Sequence, residues 1–443
     1  MKKKKILFIE NRRAIFYYDK VAEQLSKKYE IHWLVQNNLF VPKTGINHII
    51  KYPSQKNLYN LNAKKIFRTI YDSDRGRRFY HNKTDHYQYY YKEIEKIIKK
   101  VNPSLIIGEA DLFHELMVID ISKKMKIRYI FPAGTRYPKY RTSFYKYDTL
   151  NPLTNKGKPV SILKIKKIAK LIKNNKYELD YMQKENFIKK IENLYFQFYV
   201  FFSYIFGEKF NTPSPIKFVS SRLERSFLKV KWRFDSYINK VKTIDILENK
   251  KIVLFPLQMQ PEVSTDVWSY PYINQEQTIL ELSKSLKKIN YVLAVKANPK
   301  FKFELNIRTY KKIKKISNVI LIPQSISMNY LLKKCNAIFS ITGTVIFESV
   351  FLGKNIFVTS NSPFSNFRGV TKVNSLSDVA IKLKKNDKKN DKKNDINNTI
   401  SLLKTICKTS FPNEFNLFHP SEKFNNYKIM TRLISHIEKY EKF

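Results

Sequence analysis

Apolar positions along the chain fall into short continuous blocks, separated by amphipathic stretches of helical period. Lys5-Ile6-Leu7-Phe8-Ile9-Glu10 reads as a buried strand, residues 14–27 as a helix, and Tyr29 to Gln36 as a second strand. This β-α-β opening predicts a doubly wound parallel sheet. A polar, irregular stretch over 37–85 comes next, then a helix at about 87–101, a strand at Ser104 to Gly108, a helix at about 112–124 and a strand at Ile127 to Phe131.

From about 150 to 245 the pattern changes to long, Lys-rich helical segments, and a fresh α/β series starts at Lys251-Ile252-Val253-Leu254-Phe255-Pro256. It continues with a helix at about 273–287, a strand at 290–296 and strands near 318–322, 337–341 and 355–359. The pattern therefore predicts two α/β domains. The first covers 1–245 and includes the helical insert of about 150–245; the second covers 246–412; a C-terminal helix lies within 413–443. The thrice-repeated KKND at 384–395 has no apolar residue to bury and reads as a solvent-exposed low-complexity loop.

With 43% hydrophobic and 14% aromatic residues, wholesale disorder is excluded for these 443 residues. There are 83 Lys or Arg against 37 Asp or Glu, a net charge of +46, which points to anionic partners. Only 9 Gly beside abundant Lys, Asn, Ile, Phe and Tyr suggest the codon bias of an AT-rich genome, which discounts that charge. Two cysteines, Cys335 and Cys407, make neither a disulfide framework nor a zinc site, so a reducing cytoplasm is expected. The apolar run after Met1 is too short for a signal-peptide core, and the aromatic stretch 194–206 is shorter than the roughly 20 residues a spanning helix needs.

Candidate chemistry sits where strands end. Glu109 and Asp111 follow a strand's C-terminal end, where open α/β sheets place ligands, and are candidates for a catalytic base. The bland reading is that they cap the next helix; His114, one turn on, is a weaker candidate. Arg136 and Arg141, spaced with Tyr137, Tyr140 and Tyr145, suit bidentate binding of a substrate carboxylate, or are simply solvated. In the second half, the loops after two neighbouring strands carry Glu262, and then Lys296, Asn298 and Pro299. A third loop, Ser340-Ile341-Thr342-Gly343-Thr344, opens a helix containing Glu348; its hydroxyls and free N–H groups suit a phosphate, or cap the helix. The one Asp-x-Asp, Asp72-Ser73-Asp74, lies in the irregular stretch away from any strand end, so no metal is expected in the site.

Those three loops, in this order, resemble the capsule polysaccharide biosynthesis proteins that include the bacterial Kdo transferases. The likeness is carried by FPLQMQPEVST at 255–265, INQEQTILELSKSL at 273–286, VKANPK at 295–300 and the run from Ile322 to Val358; the first half matches only loosely through TRYPKYR at 135–141. The resemblance implies a GT-B fold, two Rossmann-like domains facing a cleft, with the final helix returning to the first. It also implies that Lys296, Asn298-Pro299, Ser340, Thr342 and Thr344 grip a nucleotide phosphate and that Glu348 takes ribose hydroxyls. The family usually has His where this chain has Asn298, which cannot carry a proton.

The implied function is transfer of a sugar, Kdo or a related CMP-activated sugar acid, from a nucleotide donor to a surface-glycan acceptor. No cofactor is expected beyond that donor. The charge and the 194–206 stretch would hold such an enzyme peripherally on the anionic inner membrane, where lipid-linked acceptors reside. A basic single-stranded nucleic-acid-binding protein is a second reading, with Tyr-rich basic segments at 71–91 and 136–147 stacking bases. Basic residues spread over the whole chain, without a nucleic-acid motif, argue against it. A polyol-phosphate transferase of teichoic-acid type is a third, against which Asn298 speaks because a catalytic His is expected there.

Overall fold

The structure is a computed structural model that describes all residues except 1–2, 60–61, 136, 154–156, 175, 178–197, 200, 299–304, 360–363, 368, 388–395, 413–425 and 441–443. The chain folds as two compact units. The first comprises Met1–Pro159, Leu179–Lys217 and Ile406–Phe443; the second comprises Val160–Glu178 and Phe218–Thr405.

The strands in chain order are β1 (Lys5–Ile9), β2 (Glu30–Val35), β3 (Ile46–Ile49), β4 (Leu105–Ile107), β5 (Tyr129–Gly134), β6 (Arg141–Lys146), β7 (Lys251–Pro256), β8 (Tyr291–Lys296), β9 (Val319–Ile322), β10 (Ala337–Phe339), β11 (Asn355–Thr359), β12 (Val370–Val373) and β13 (Ser410–Pro412). In the first unit the sheet order is β3-β2-β1-β4-β5-β6-β13, parallel from β3 to β5 and antiparallel at β6 and β13. The second unit has the all-parallel order β9-β8-β7-β10-β11-β12. Each sheet therefore reverses its winding once, between β1 and β4 and between β7 and β10. At such a switch point the helices leave toward opposite faces and open a crevice beyond the strand ends.

The apolar blocks form these strands because both faces are covered. In the first unit Phe8, Trp33, Val35 and Ile107 pack under the Ile15–Leu25 helix and, from the chain's end, under Met430, Ile434 and Ile437 of the Asn426–Tyr440 helix. In the second, Val253, Phe255, Val295 and Phe339 face Ile279, Leu282 and Leu286 of the Gln275–Lys287 helix, while Leu254 and Ile338 face Leu331 and Leu332.

The structure differs from the sequence pattern in several places; the stretch 37–85, read as irregular, contains β3 and the short helices Ala63–Ile66 and Arg68–Ser73. The Lys-rich region is not one insert of the first unit, since Val160–Glu178 and everything from Phe218 to its end belong to the second. Leu228 and Trp232 drive this by entering the second unit's core, where the Trp232 indole N–H donates to the Ile322 carbonyl at 3.0 Å. The KKND region is also only in part a loop. The Ser377–Asp387 helix runs into its first repeat, anchored by buried Val379 and Leu383, and 388–395 lie outside the described residues.

Candidate functional site

At the first unit's switch point the chain leaves β1 as Glu10-Asn11-Arg12 and β4 as Gly108-Glu109-Ala110-Asp111. Gly108 is required by a close approach, since a Cβ there would lie 2.4 Å from the Tyr129 hydroxyl, which donates to the Glu109 carbonyl. The Asn11 amide donates to Glu109 Oε2 at 3.3 Å and to Glu115 Oε1 at 2.7 Å, tying the two strand ends together. Glu115 Oε2 accepts from the backbone N–H groups of Asp111 and Leu112, both at 2.8 Å. Capping of the Phe113–Lys124 helix is therefore Glu115's work, and it leaves the carboxylates of Glu109 and Asp111 for other roles. Asp111 takes a hydrogen bond from Arg75, while Glu109 Oε1 is buried without a hydrogen-bond partner among the described residues.

The electrostatics follow from burial. Desolvation, then the Glu115 and Asp111 charges, raise Glu109 well above the usual carboxylate range. Burial lifts Glu10 and Glu115 to about 7 as well. His114, equally buried, is pushed down to about 3 and stays neutral; its Nε2 lies 2.8 Å from the Glu10 carbonyl and its Nδ1 3.2 Å from the Asn211 amide. It is thus a packed histidine, not a proton carrier. Glu10 and Asn11 were missing from the sequence reading, although Glu10 carries the same signal as Glu109, a carboxylate closing an apolar strand.

At the second unit's switch point the exit of β7 is braced by glutamines. The Gln275 side chain bonds the Gln258 backbone N–H and carbonyl, each at 2.8 Å, and the Gln260 amide at 2.9 Å. Gln260 in turn donates to Asp266 at 2.8 Å. The hydrogen bonds around the Gln258 amide are satisfied with its oxygen turned to the β10 exit, where it accepts from the N–H groups of Ile341 (3.2 Å), Thr342 (2.7 Å) and Gly343 (2.8 Å). Its nitrogen then donates to Thr342 Oγ1 at 2.5 Å and Thr265 Oγ1 at 3.2 Å. Ser340 is fully buried, and its hydroxyl accepts from the Gly343 N–H at 3.2 Å. The N–H groups expected to face a phosphate are therefore held by Gln258. Buried N–H groups demand a partner, and this amide supplies one.

Other expected site residues fall as follows. The Lys296 ammonium donates to the carbonyls of Pro323 (3.2 Å) and Ile326 (2.7 Å), and burial pushes it down to about 8. Two of its three protons thus brace the loop beyond β9. Glu262 precedes the Val263–Asp266 turn of helix, with its backbone N–H on Asp266 at 2.8 Å. Asn298 stands two residues beyond β8; Thr344 and Glu348 sit at the start of the short Val345–Phe351 helix, all three half-buried. Pro299 and Arg136 lie outside the described residues.

Arg141 is a correction. It opens β6 buried, and its guanidinium donates to Ser410 Oγ at 2.8 Å, to the Cys407 carbonyl at 3.0 Å and to the carbonyls of Lys158 and Ser410. It fastens β13 to β6 and is not offered to a substrate carboxylate; a lone basic residue in sequence does not reveal that backbone carbonyls will surround it. Asp74 of the Asp-x-Asp accepts from the Tyr87 hydroxyl at 2.6 Å and the Gly76 N–H at 2.8 Å, a local structural role.

The family model described as capsule polysaccharide biosynthesis protein matches residues 158–403, more than half of the chain. The chain belongs to that family. The match takes in every described candidate residue of the second unit, from the catalytic candidate Glu262 to Glu348, and membership makes the chain a glycosyltransferase of capsule biosynthesis. No curated protein matches the chain. Among solved structures it is similar to Thermosulfurimonas dismutans KpsC, a beta Kdo 2,7 transferase, at 9% identity over 85% of this chain and 89% of that one, with a TM-score of 0.33. S. aureus MnaA, solved with UDP, is 11% identical over 99% and 96%, with a TM-score of 0.29. A Neisseria meningitidis UDP-GlcNAc 2-epimerase bound to UDP-GlcNAc is 14% identical over 98% and 99%, with a TM-score of 0.26.

Proposed function

We propose that this capsule-family protein transfers a sugar from a nucleotide donor to a surface-glycan acceptor, and that the donor is a CMP-activated sugar acid of the Kdo kind. The family match carries the reading, because it spans the loops that leave β7, β8 and β10. The second unit takes the nucleotide at its switch point, with Asn298, Ser340, Thr342, Gly343, Thr344 and Glu348 as donor-side residues. Since Gln258 holds the N–H groups of 341–343, a donor phosphate would take its place there, exchanging one acceptor for a charged one. A sugar-acid carboxylate would need a cation other than Arg141, and Arg136 is the candidate.

In the first unit Glu109 is the base. The acceptor hydroxyl gives its proton to the Glu109 carboxylate as its oxygen bonds the anomeric carbon, while the sugar–phosphate C–O bond breaks and the nucleotide departs with the electron pair. Asn11 orients Glu109 through Oε2 and leaves Oε1 for the acceptor. A lipid-linked acceptor would keep the enzyme at the inner surface of the cytoplasmic membrane.

The test is a thermal-shift panel of the purified protein against CMP, CDP, UDP, GDP and short single-stranded DNA. A roughly 100-fold excess over Kd adds about 2.7 kcal/mol of stability. Selective stabilisation by CMP is expected. A selective UDP, GDP or CDP shift would overturn the CMP donor alone. No nucleotide shift beside a salt-sensitive DNA response would overturn the transferase reading.

A further inference from the structure

The Pro215–Ile238 helix carries two apolar faces, and among the described residues the fold buries only one. Leu228 and Trp232 are buried in the second unit's core, and Trp232 packs on the Tyr310 ring with centroids 5.6 Å apart. Asp235, on the same side, receives the Tyr310 hydroxyl and lies 3.0 Å from the Lys314 ammonium. At about 100° per residue, Val219, Leu223, Phe227, Val230, Phe234 and Tyr237 line up on the opposite side. Each is between 55% and 81% exposed. A contiguous exposed stripe of this kind on a folded unit marks an interaction surface.

Charge selects the occupant. The helix holds six basic residues against two acidic ones. On the helical wheel Arg222, Lys229 and Arg233 border one edge of the stripe and Lys231 the other. Pairing the stripe with a second copy would set like charge against like, with Glu224 and the already engaged Asp235 as the acids available. An apolar stripe rich in Phe, edged by Lys and Arg, matches a helix lying in the headgroup region of an anionic bilayer, its cations level with the phosphates. Among the described residues no helix is long and apolar enough to cross a membrane, so this one would lie on the surface. We infer that the exposed face of residues 215–238 is a membrane-docking element that seats the second unit on an anionic lipid surface.

This deepens the membrane part of the proposed function, and vesicle binding is read without donor or acceptor, so either idea can fail without the other. The experiment is co-sedimentation of the full chain with phosphatidylcholine vesicles, with and without a quarter phosphatidylglycerol, alongside light scattering. Wild type should pellet with the anionic vesicles. The Leu223→Asp, Phe227→Asp, Val230→Asp triple variant, altered only at exposed positions, should bind at least tenfold more weakly at an unchanged melting temperature. Arg222→Gln with Arg233→Gln should lose binding to anionic vesicles while neutral ones show no change. Wild type left in the supernatant, or a triple variant that binds like wild type, would overturn the proposal. A wild-type dimer that the triple variant makes monomeric, with no vesicle binding, would assign the face to a second copy instead.

Discussion

Glu109 presents one buried carboxylate oxygen without a partner among the described residues, beside a second that Asn11 holds, and two nearby carboxylates raise its proton affinity. A group held above the usual range by burial is protonated at acid pH and becomes a strong base once ionised. Turnover should therefore climb with pH around and above neutrality, not near the ordinary carboxylate value. The neighbours Glu10 and Glu115, at about 7, add to that limb. The stability consequence has the opposite sign: carboxylates whose folded pKa is raised favour the fold while protonated, and this contribution is lost as pH rises through about 7. Glu109→Gln is expected to cut kcat by about 10²-fold or more while leaving nucleotide binding intact, and Asp111→Asn to cut it less. The check is a pH–rate profile with single-turnover transfer; full activity in both variants, or a flat profile from about pH 5 to about pH 8, would remove Glu109 as the base.

At the scale of the elements, the β7 and β10 exit loops act as one piece because Gln258 bridges them. Gln258→Glu keeps an acceptor on the three N–H groups but adds a negative charge where a donor phosphate would go. Nucleotide affinity should then fall by at least about tenfold, since like charges at contact repel by more than 1 kcal/mol near a protein surface. Calorimetric titration decides, and unchanged affinity would move the phosphate elsewhere. The parallel strands β1, β2, β4, β5 and β7 to β11 were legible in the sequence because each is an apolar run. β3, β6, β12 and β13 were not: Ile46-Asn47-His48-Ile49, Arg141-Thr142-Ser143 and Val370-Thr371-Lys372 carry too few apolar residues to stand out, and β13 spans only Ser410–Pro412. For the same reason the loops were legible as strand ends while their internal bonding was not. Gln258, Gln260 and Gln275 are ordinary polar residues until the fold brings them together.

For the whole molecule, two α/β halves could be read from two runs of strand blocks, but the ownership of the Lys-rich helices could not. An amphipathic stripe states that a face is buried and leaves open which core receives it; Leu228 and Trp232 settle that only in three dimensions. The same helices contribute to a charge of +46, which opposes compaction through self-repulsion and promotes attachment to an anionic surface. Salt acts on both effects, with opposite results. Raising sodium chloride from about 0.05 M to about 0.5 M shortens the screening length to below about 5 Å. The melting temperature should then rise, each 1 kcal/mol of relieved repulsion giving about 2–4 °C for units of this size. Over the same range the fraction bound to anionic vesicles should fall without vanishing, because the stripe from Val219 to Tyr237 still gains by leaving water. A melting temperature that fell with salt would mean that native ion pairs such as Lys4–Glu438 and Lys123–Asp148 outweigh the surplus of positive charge, leaving attraction within the fold as the larger effect.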